Sequence, residues 1–350
     1  MKKTILTLTV ILACAFVAGA QEDDAPKPHT FIEEFSFDTR ATFHQQTVEG
    51  VYDSHFQGDY FNLHIKGQLY DGLTFRVRQR LNKKIDDKNP FNATDFLWLT
   101  WQPSPQWSIT AGKHPIMVGG YEIDSPPIDV YYYGAFSNRL YQYYAFGVSA
   151  TYSPVPGQNI SAQFIPSPIS PVTQNSYSYN LYWNGGFAPW WKTIWSYNLV
   201  EDELHRKMNW FALGNKFPMG ALVVDVDFID RIAFGQASPL SDWTFIVKAI
   251  LTLGKWNLCT KVGYERNDAA NIDPNWNHDW DSLVPATHIG SYDLVLPAGN
   301  DYLYYGAGIE YFPLGDERLR LHAVYFRDNH DIVNNFDVGI TWRFSVYSRK

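Results

Sequence analysis

The segment Leu73-Thr74-Phe75-Arg76-Val77-Arg78-Gln79-Arg80 places an arginine at every second position, and strand-length segments down the chain repeat that period of two. Phe61, Leu63, Ile65 and Leu69 alternate with Asn62, His64, Lys66 and Gln68. Trp243, Phe245, Val247, Ala249, Leu251 and Leu253 alternate with Thr244, Lys248 and Thr252, and Leu319, Leu321, Ala323 and Tyr325 with Arg318, Arg320 and His322. Phe336, Val338, Ile340, Trp342 and Phe344 do the same with Asp337, Thr341 and Arg343. A period of two belongs to a strand whose two faces meet different surroundings. Most of these segments run about nine to thirteen residues, the length a tilted strand needs to cross a bilayer. Beyond the N-terminus no run of about 18 to 20 apolar residues occurs. A chain of this kind can therefore span a membrane only as a closed barrel.

The order of the connections supports closure. Short turns are expected at Asp71-Gly72, Pro103 to Gln106, Pro154 to Gly157, Gly185 to Pro189, Pro218 to Gly220, Gly254-Lys255 and Pro313 to Glu317. Longer polar or irregular connections alternate with them, around 47–58, 83–94, 114–139, 165–175, 200–205, 231–240, 267–299 and 328–333. Short on one side and long on the other is the layout of an outer-membrane barrel, with periplasmic turns and extracellular loops. The expected fold is all-β: a transmembrane antiparallel up-and-down β-barrel of about sixteen strands with both chain ends on the periplasmic side. A soluble sandwich or lectin-like protein would alternate too. The tryptophans at 98, 101, 107, 190, 191, 243, 256 and 342 shift the balance, because they fall where interfacial girdles would lie. The last strand also ends on the aromatic Trp342-Arg343-Phe344.

The N-terminus reads as an export signal over residues 1–20, with Lys2 and Lys3 before an apolar stretch and Ala18-Gly19-Ala20 as the cleavage site. A lipoprotein box at Ile11 to Cys14 is the weaker alternative, since the residues after Cys14 are still apolar. Residues 21–30 would be a short periplasmic segment, 31–344 the barrel and 345–350 a C-terminal tail. Cleavage after Ala20 leaves Cys259 alone, so no intrachain disulfide can form. The net charge of −8 argues against a nucleic-acid partner.

In a closed barrel the apolar face meets lipid and the polar face a water-filled lumen. Arg76, Arg78 and Arg80 then climb the inner wall as a ladder. Asp38 and Arg40 on the first strand and His64 and Lys66 on the second join them, and closure adds Arg320, His322 and Arg343 to the same arc. Asp225 and Asp227 face the lumen from across the barrel. The connection 114–139 is long, rich in proline, glycine and tyrosine, and too apolar for a freely solvated loop. Folded inward, it would narrow the bore and set Glu122, Asp124 and Asp129 against the basic arc, with Lys113 and Arg139 at its ends. Carboxylates facing guanidinium groups across a constriction sort solutes by size and dipole. The plainer alternatives are arginines that merely keep a pore wall wet and an extracellular loop packed on its neighbours.

Trp107 to Pro115, followed by Gly119-Gly120-Tyr121-Glu122, together with the Asp71-Gly72-Leu73 hairpin and the arginine-rich third strand, resembles the phosphate-selective porin O and P family. The distinctive residues occupy about 60–125. The resemblance implies a sixteen-stranded, trimeric diffusion channel of the bacterial outer membrane, in contact with its lipid and lipopolysaccharide. Lysines expected in the constricting loop of phosphate-selective members are replaced in this chain by Glu122, Asp124 and Asp129, so a general porin for small hydrophilic solutes and ions is expected. An anion- or phosphate-selective channel is the first alternative, and a plugged barrel or barrel hydrolase the second. No catalytic motif or metal-ligand cluster stands out, and no cofactor is expected. Asp273 to Asp281 spaces oxygens as half a calcium loop does, without the required glycine and final glutamate, and reads as a solvated surface loop.

Overall fold

In the computed structural model the chain closes into one antiparallel barrel of sixteen strands. The structure describes residues 31–86, 89–140, 142–170, 175–201, 207–233, 239–268, 296, 299–329 and 334–348. The export signal and the segment 21–30 lie outside the described residues, as does Asp273 to Asp281. The first eight strands are β1 Phe31–Val48, β2 Val51–Tyr70, β3 Leu73–Arg80, β4 Thr94–Ser104, β5 Trp107–Pro115, β6 Tyr144–Val155, β7 Gln158–Pro166 and β8 Tyr177–Ala188. The remaining eight are β9 Trp191–Glu201, β10 Lys207–Met219, β11 Leu222–Ala233, β12 Asp242–Leu253, β13 Trp256–Asn267, β14 Asp301–Tyr311, β15 Leu319–Asp328 and β16 Asn334–Ser348.

Each strand pairs with its sequence neighbours, and β1 closes on β16 with Asp38 opposite Arg343 and Arg40 opposite Thr341. Closure removes both edges, so no strand presents an unpaired edge where no water could satisfy it. Phe245, Leu258, Val262, Leu321 and Val338 stay exposed, as the wall of a barrel in lipid requires. No helix among the described residues is long and apolar enough to cross a membrane.

Short turns join each even strand to the next odd one, with Gly72 at φ 75° closing the β2–β3 hairpin in the region where a side chain would be strained. Two boundaries differ from the sequence reading. Alternation and composition predict a long connection at 47–58, but β1 runs to Val48, β2 begins at Val51, and only Glu49 and Gly50 turn, both with positive φ. That is the mirror-image hairpin turn, which matches strand twist and lets both strands extend as an exposed ribbon. At the other end residues 345–348 continue β16, with Tyr347 opposite Phe35 and Ser348 opposite Glu34, so the tail expected at 345–350 is strand through Ser348.

Candidate functional site

The connection between β5 and β6 crosses the lumen. It carries a one-turn helix Tyr121–Asp124, a 3-10 turn Pro127–Asp129 and a second short helix Ala135–Arg139. Ile116, Val118, Ile123, Phe136 and Leu140 from this segment form one buried cluster with Ile165, Val200, Met208, Trp210, Ala212, Ile229 and Ile246 of the inner wall. At Gly119 an added Cβ would lie 2.7 Å from the carbonyl oxygens of Ile194 and Ala212, and at Gly214 of β10 it would lie 2.7 Å from the Gly120 Cα. Gly119-Gly120 is thus the point where the segment is pressed against the wall backbone.

Wall carboxylates hold the two helices by their N-termini. Both oxygens of Asp227 accept from the Tyr121 and Glu122 amides at 2.8 Å. The Glu265 carboxylate accepts from the amides of Ala135 at 2.7 Å and Phe136 at 3.1 Å. Each satisfies donors that a helix start leaves unpaired and places negative charge at the positive end. Glu122 accepts from the Gly134 amide and the Ser137 hydroxyl and pairs with Lys261.

Farther along, Asp129 accepts from Arg320 at 2.9 Å and from Arg343 at 2.6 Å. The Ile128 carbonyl accepts from Arg40 and Arg320, and the Val130 carbonyl from Arg40. Arg40 also pairs with Asp59, and Arg320 with Glu310. Charge-assisted bonds of this kind contribute about 1.5–3 kcal/mol each. Of the three loop carboxylates, only Asp129 is shown bonded to the basic arc; Glu122 goes to Lys261 across the barrel. Asp124 is exposed and opens on the lumen.

The ladder is not three free cations. Arg78 and Arg80 both bond to Asp95, with Nε to oxygen distances of 3.0 Å and 2.8 Å. Arg76 is exposed, its guanidinium carbon 4.9 Å from the Phe96 ring centre and 5.7 Å from that of Trp98. Asp95 escaped sequence reasoning because it shares the parity of Leu97, Leu99 and Trp101, which strict alternation puts on the lipid side. A bulge between Arg78 and Gln79 interrupts the register there, with Phe96 and Thr94 as successive partners, and brings Asp95 to the arginines.

Trp98 needs a similar correction. It pairs with Arg76 and lines the lumen instead of the lipid girdle, whereas Trp101, Trp107, Trp190 and Trp256 stay exposed. Lys113 does not belong to the constriction: it lies in β5, pairs with Leu97 and Phe146, and shares their lipid-side parity. Its ammonium donates to the Phe91 carbonyl at 2.7 Å, under a connection whose Phe91 packs on Phe146. Arg139 ends the second short helix, and its side chain lies outside the described residues.

The other expected lumenal groups lie as follows. His64 bonds to Asp38 at 3.0 Å, Asp225 lies 3.6 Å from Lys216, and Lys66 is exposed on β2. His322 is buried against the Tyr131 ring, the centres 4.7 Å apart. Lys261, Glu265 and Glu310 were missed, although the alternation Cys259, Lys261, Gly263, Glu265 extended along β13 marks two of them as inward.

The crossing segment leaves space on both sides. A cavity of about 1470 Å³ lies toward β1–β6 and the closing strands β15 and β16, lined among others by Asp38, His64, Arg76, Trp98, Thr100, Thr110, Asp124 and Arg343. A second of about 370 Å³ lies toward β10–β15, lined by Lys216, Asp225, Lys248, Ile250, Lys261 and Arg320 among others. Ser125 and Pro126 border both. Among the described residues no group of three or more metal-ligating side chains is assembled.

A sixteen-strand closed barrel with a segment folded into a charged lumen is the architecture of an outer-membrane porin. Residues 40–193 match the family model described as phosphate-selective porin O and P, which bears out the resemblance read from the sequence. No curated protein matches the chain. Among solved structures, the in-vitro folded OmpT of Vibrio cholerae, an outer membrane protein in its trimer form, is 11% identical with a TM-score of 0.58. That match covers 88% of this chain and 98% of the other. OprB of Pseudomonas putida at high pH is 9% identical, with a TM-score of 0.60 over 89% of this chain and 94% of that one. A triple mutant of the Rh. blastica porin is 14% identical, with a TM-score of 0.50 over 89% and 100%. At these identities the likeness is one of fold.

Proposed function

We propose that the protein is a passive, non-enzymatic porin that admits small hydrophilic solutes and ions across the outer membrane, working as a homotrimer. The observation that carries this reading is the larger cavity, about 1470 Å³ lined by groups of both signs between the crossing segment and β1–β6, β15 and β16. Solutes pass beside the segment and not through it, since Asp227, Glu265, Arg40, Arg320 and Arg343 all hold it in place. A phosphate-specific channel is the weaker alternative, because Asp95 already occupies Arg78 and Arg80 and Asp129 occupies Arg320 and Arg343.

Full-length protein reconstituted in a planar bilayer tests both. The porin reading expects stepwise conductance with weak voltage dependence, and chloride current that phosphate leaves largely unchanged. Phosphate block at low concentration would favour the specific channel. Absence of any conductance would mean a plugged barrel and sink both.

A further inference from the structure

The larger cavity contains a feature that a merely wet pore does not need. Phe96 and Trp98 of β4 point into it as an aromatic strip, their ring centres 4.6 Å apart, and the strip continues to Tyr144 of β6, 5.5 Å from Phe96. Phe96 is buried beneath the two arginines, and the half-buried Trp98 presents the apolar face that water in the bore solvates poorly. Arg76 and Arg78 lie over this strip, Arg78 at 3.9 Å from the Phe96 centre and Arg76 at 4.9 Å. Arg78 is paired with Asp95, which it shares with Arg80. For Arg76 no hydrogen bond or ion pair is found among the described residues; Glu34, which lines the same cavity, accepts instead from the Ser36 hydroxyl at 2.7 Å.

A guanidinium held over aromatic rings by cation–π attraction keeps N–H donors available, and their fork matches the two oxygens of a carboxylate. We propose that Arg76 and Trp98, backed by the buried Phe96, form a binding station for small aromatic carboxylates: the carboxylate takes the edge of Arg76 and the ring lies on Trp98. This deepens the channel reading and rests on it for transport, but binding can be read without current. Inorganic phosphate would use Arg76 but leave Trp98 wet. A neutral sugar would offer no anionic acceptor to the Arg76 edge. The station therefore favours a solute carrying both an anionic group and a flat apolar body.

The test uses full-length protein in detergent, titrated calorimetrically with benzoate, acetate, inorganic phosphate and glucose, and the same protein in bilayers, where benzoate should interrupt the ion current. Benzoate is expected to bind more tightly than the other three. Arg76→Gln should weaken benzoate by roughly tenfold or more, the loss of one charge-assisted contact. Trp98→Ala should weaken benzoate by about fivefold without altering acetate, Trp98→Phe should restore most of it, and Trp107→Ala on the outer wall should change nothing. Equal binding of acetate or phosphate and benzoate would overturn the proposal, as would Trp98→Ala that binds benzoate like the parent. A protein that binds benzoate but carries no current would refute the porin reading and leave the station standing.

Discussion

At the scale of single residues, the lumen is governed less by how many cations it holds than by which of them already have an acid. Asp95 decides this for the ladder. Its carboxylate bonds to Arg78 and Arg80 together, and the side chain of Arg78 is buried while that of Arg80 is about one-third exposed. Asp95→Asn keeps the size and an acceptor oxygen but removes the charge, raising the Arg78–Arg80 cluster from one net positive charge to two beside the larger cavity. The expected outcome is a shift of the reversal potential across a potassium chloride gradient toward anion selectivity, with folding retained as judged by resistance to detergent at room temperature. An unchanged reversal potential would mean that Arg78 and Arg80 do not act on the permeation path. The sequence shows the three arginines by spacing alone. It does not show the acid that two of them share, because a bulge shifts Asp95 out of the parity that alternation assigns it. Lys113 is misread for the complementary reason. A long ammonium on the lipid side is tolerated when it can reach a carbonyl, and that carbonyl, of Phe91, belongs to a connection more than twenty residues away.

At the scale of elements, the strands are legible in the sequence and the crossing segment only in outline. Alternation names the inner and outer residues of β2, β12, β15 and β16 because one face meets lipid and the other water, and no packing choice can override so large a difference. Inside the lumen both partners are polar or mixed, so sequence alone does not say that Asp227 and Glu265 cap two short helices or that Asp129 sits between Arg320 and Arg343. The Gly119-Gly120 pair is visible as a motif; its physical reason is that a methyl group at Gly119 collides with the backbone of β9 and β10, while Gly120 has φ 120°, a conformation strained for any side chain. Gly214→Ala is the sharpest probe of that seat, since the new Cβ would meet the Gly120 Cα at 2.7 Å. Overpacking of this kind costs about 1–3 kcal/mol. Urea unfolding of the refolded variant in micelles should show that loss, and its single-channel current should become noisier as the segment leaves its seat. Gly58→Ala, where nothing lies within 4 Å, serves as the comparison and should match the parent. If both variants unfold at the same urea concentration, the seat contributes nothing.

For the whole molecule, closure and the inward fold act together. A sixteen-strand barrel is wide enough to hold both a segment with its own apolar cluster and open space beside it. The segment is anchored asymmetrically, its cluster packed on β7 and β9–β12 and its Asp129 end drawn to β15 and β16, which divides the bore into unequal parts. If permeation follows the larger part, bulk added to the two cavities must have unequal effects. Thr100 lines the larger cavity and pairs with Thr110 across β4 and β5, their hydroxyl oxygens 2.9 Å apart; Ile250 lines the smaller one. Thr100→Trp should remove most of the single-channel conductance, and Ile250→Trp should leave it near the parent value, both compared in the same salt with trace-level insertion so that single channels are counted. The opposite pattern would place the path along β10–β15 and make Lys216, Lys248 and Lys261, instead of Arg76, the cations that solutes meet. Equal losses would mean that the segment moves as solutes pass and that the two cavities are one path.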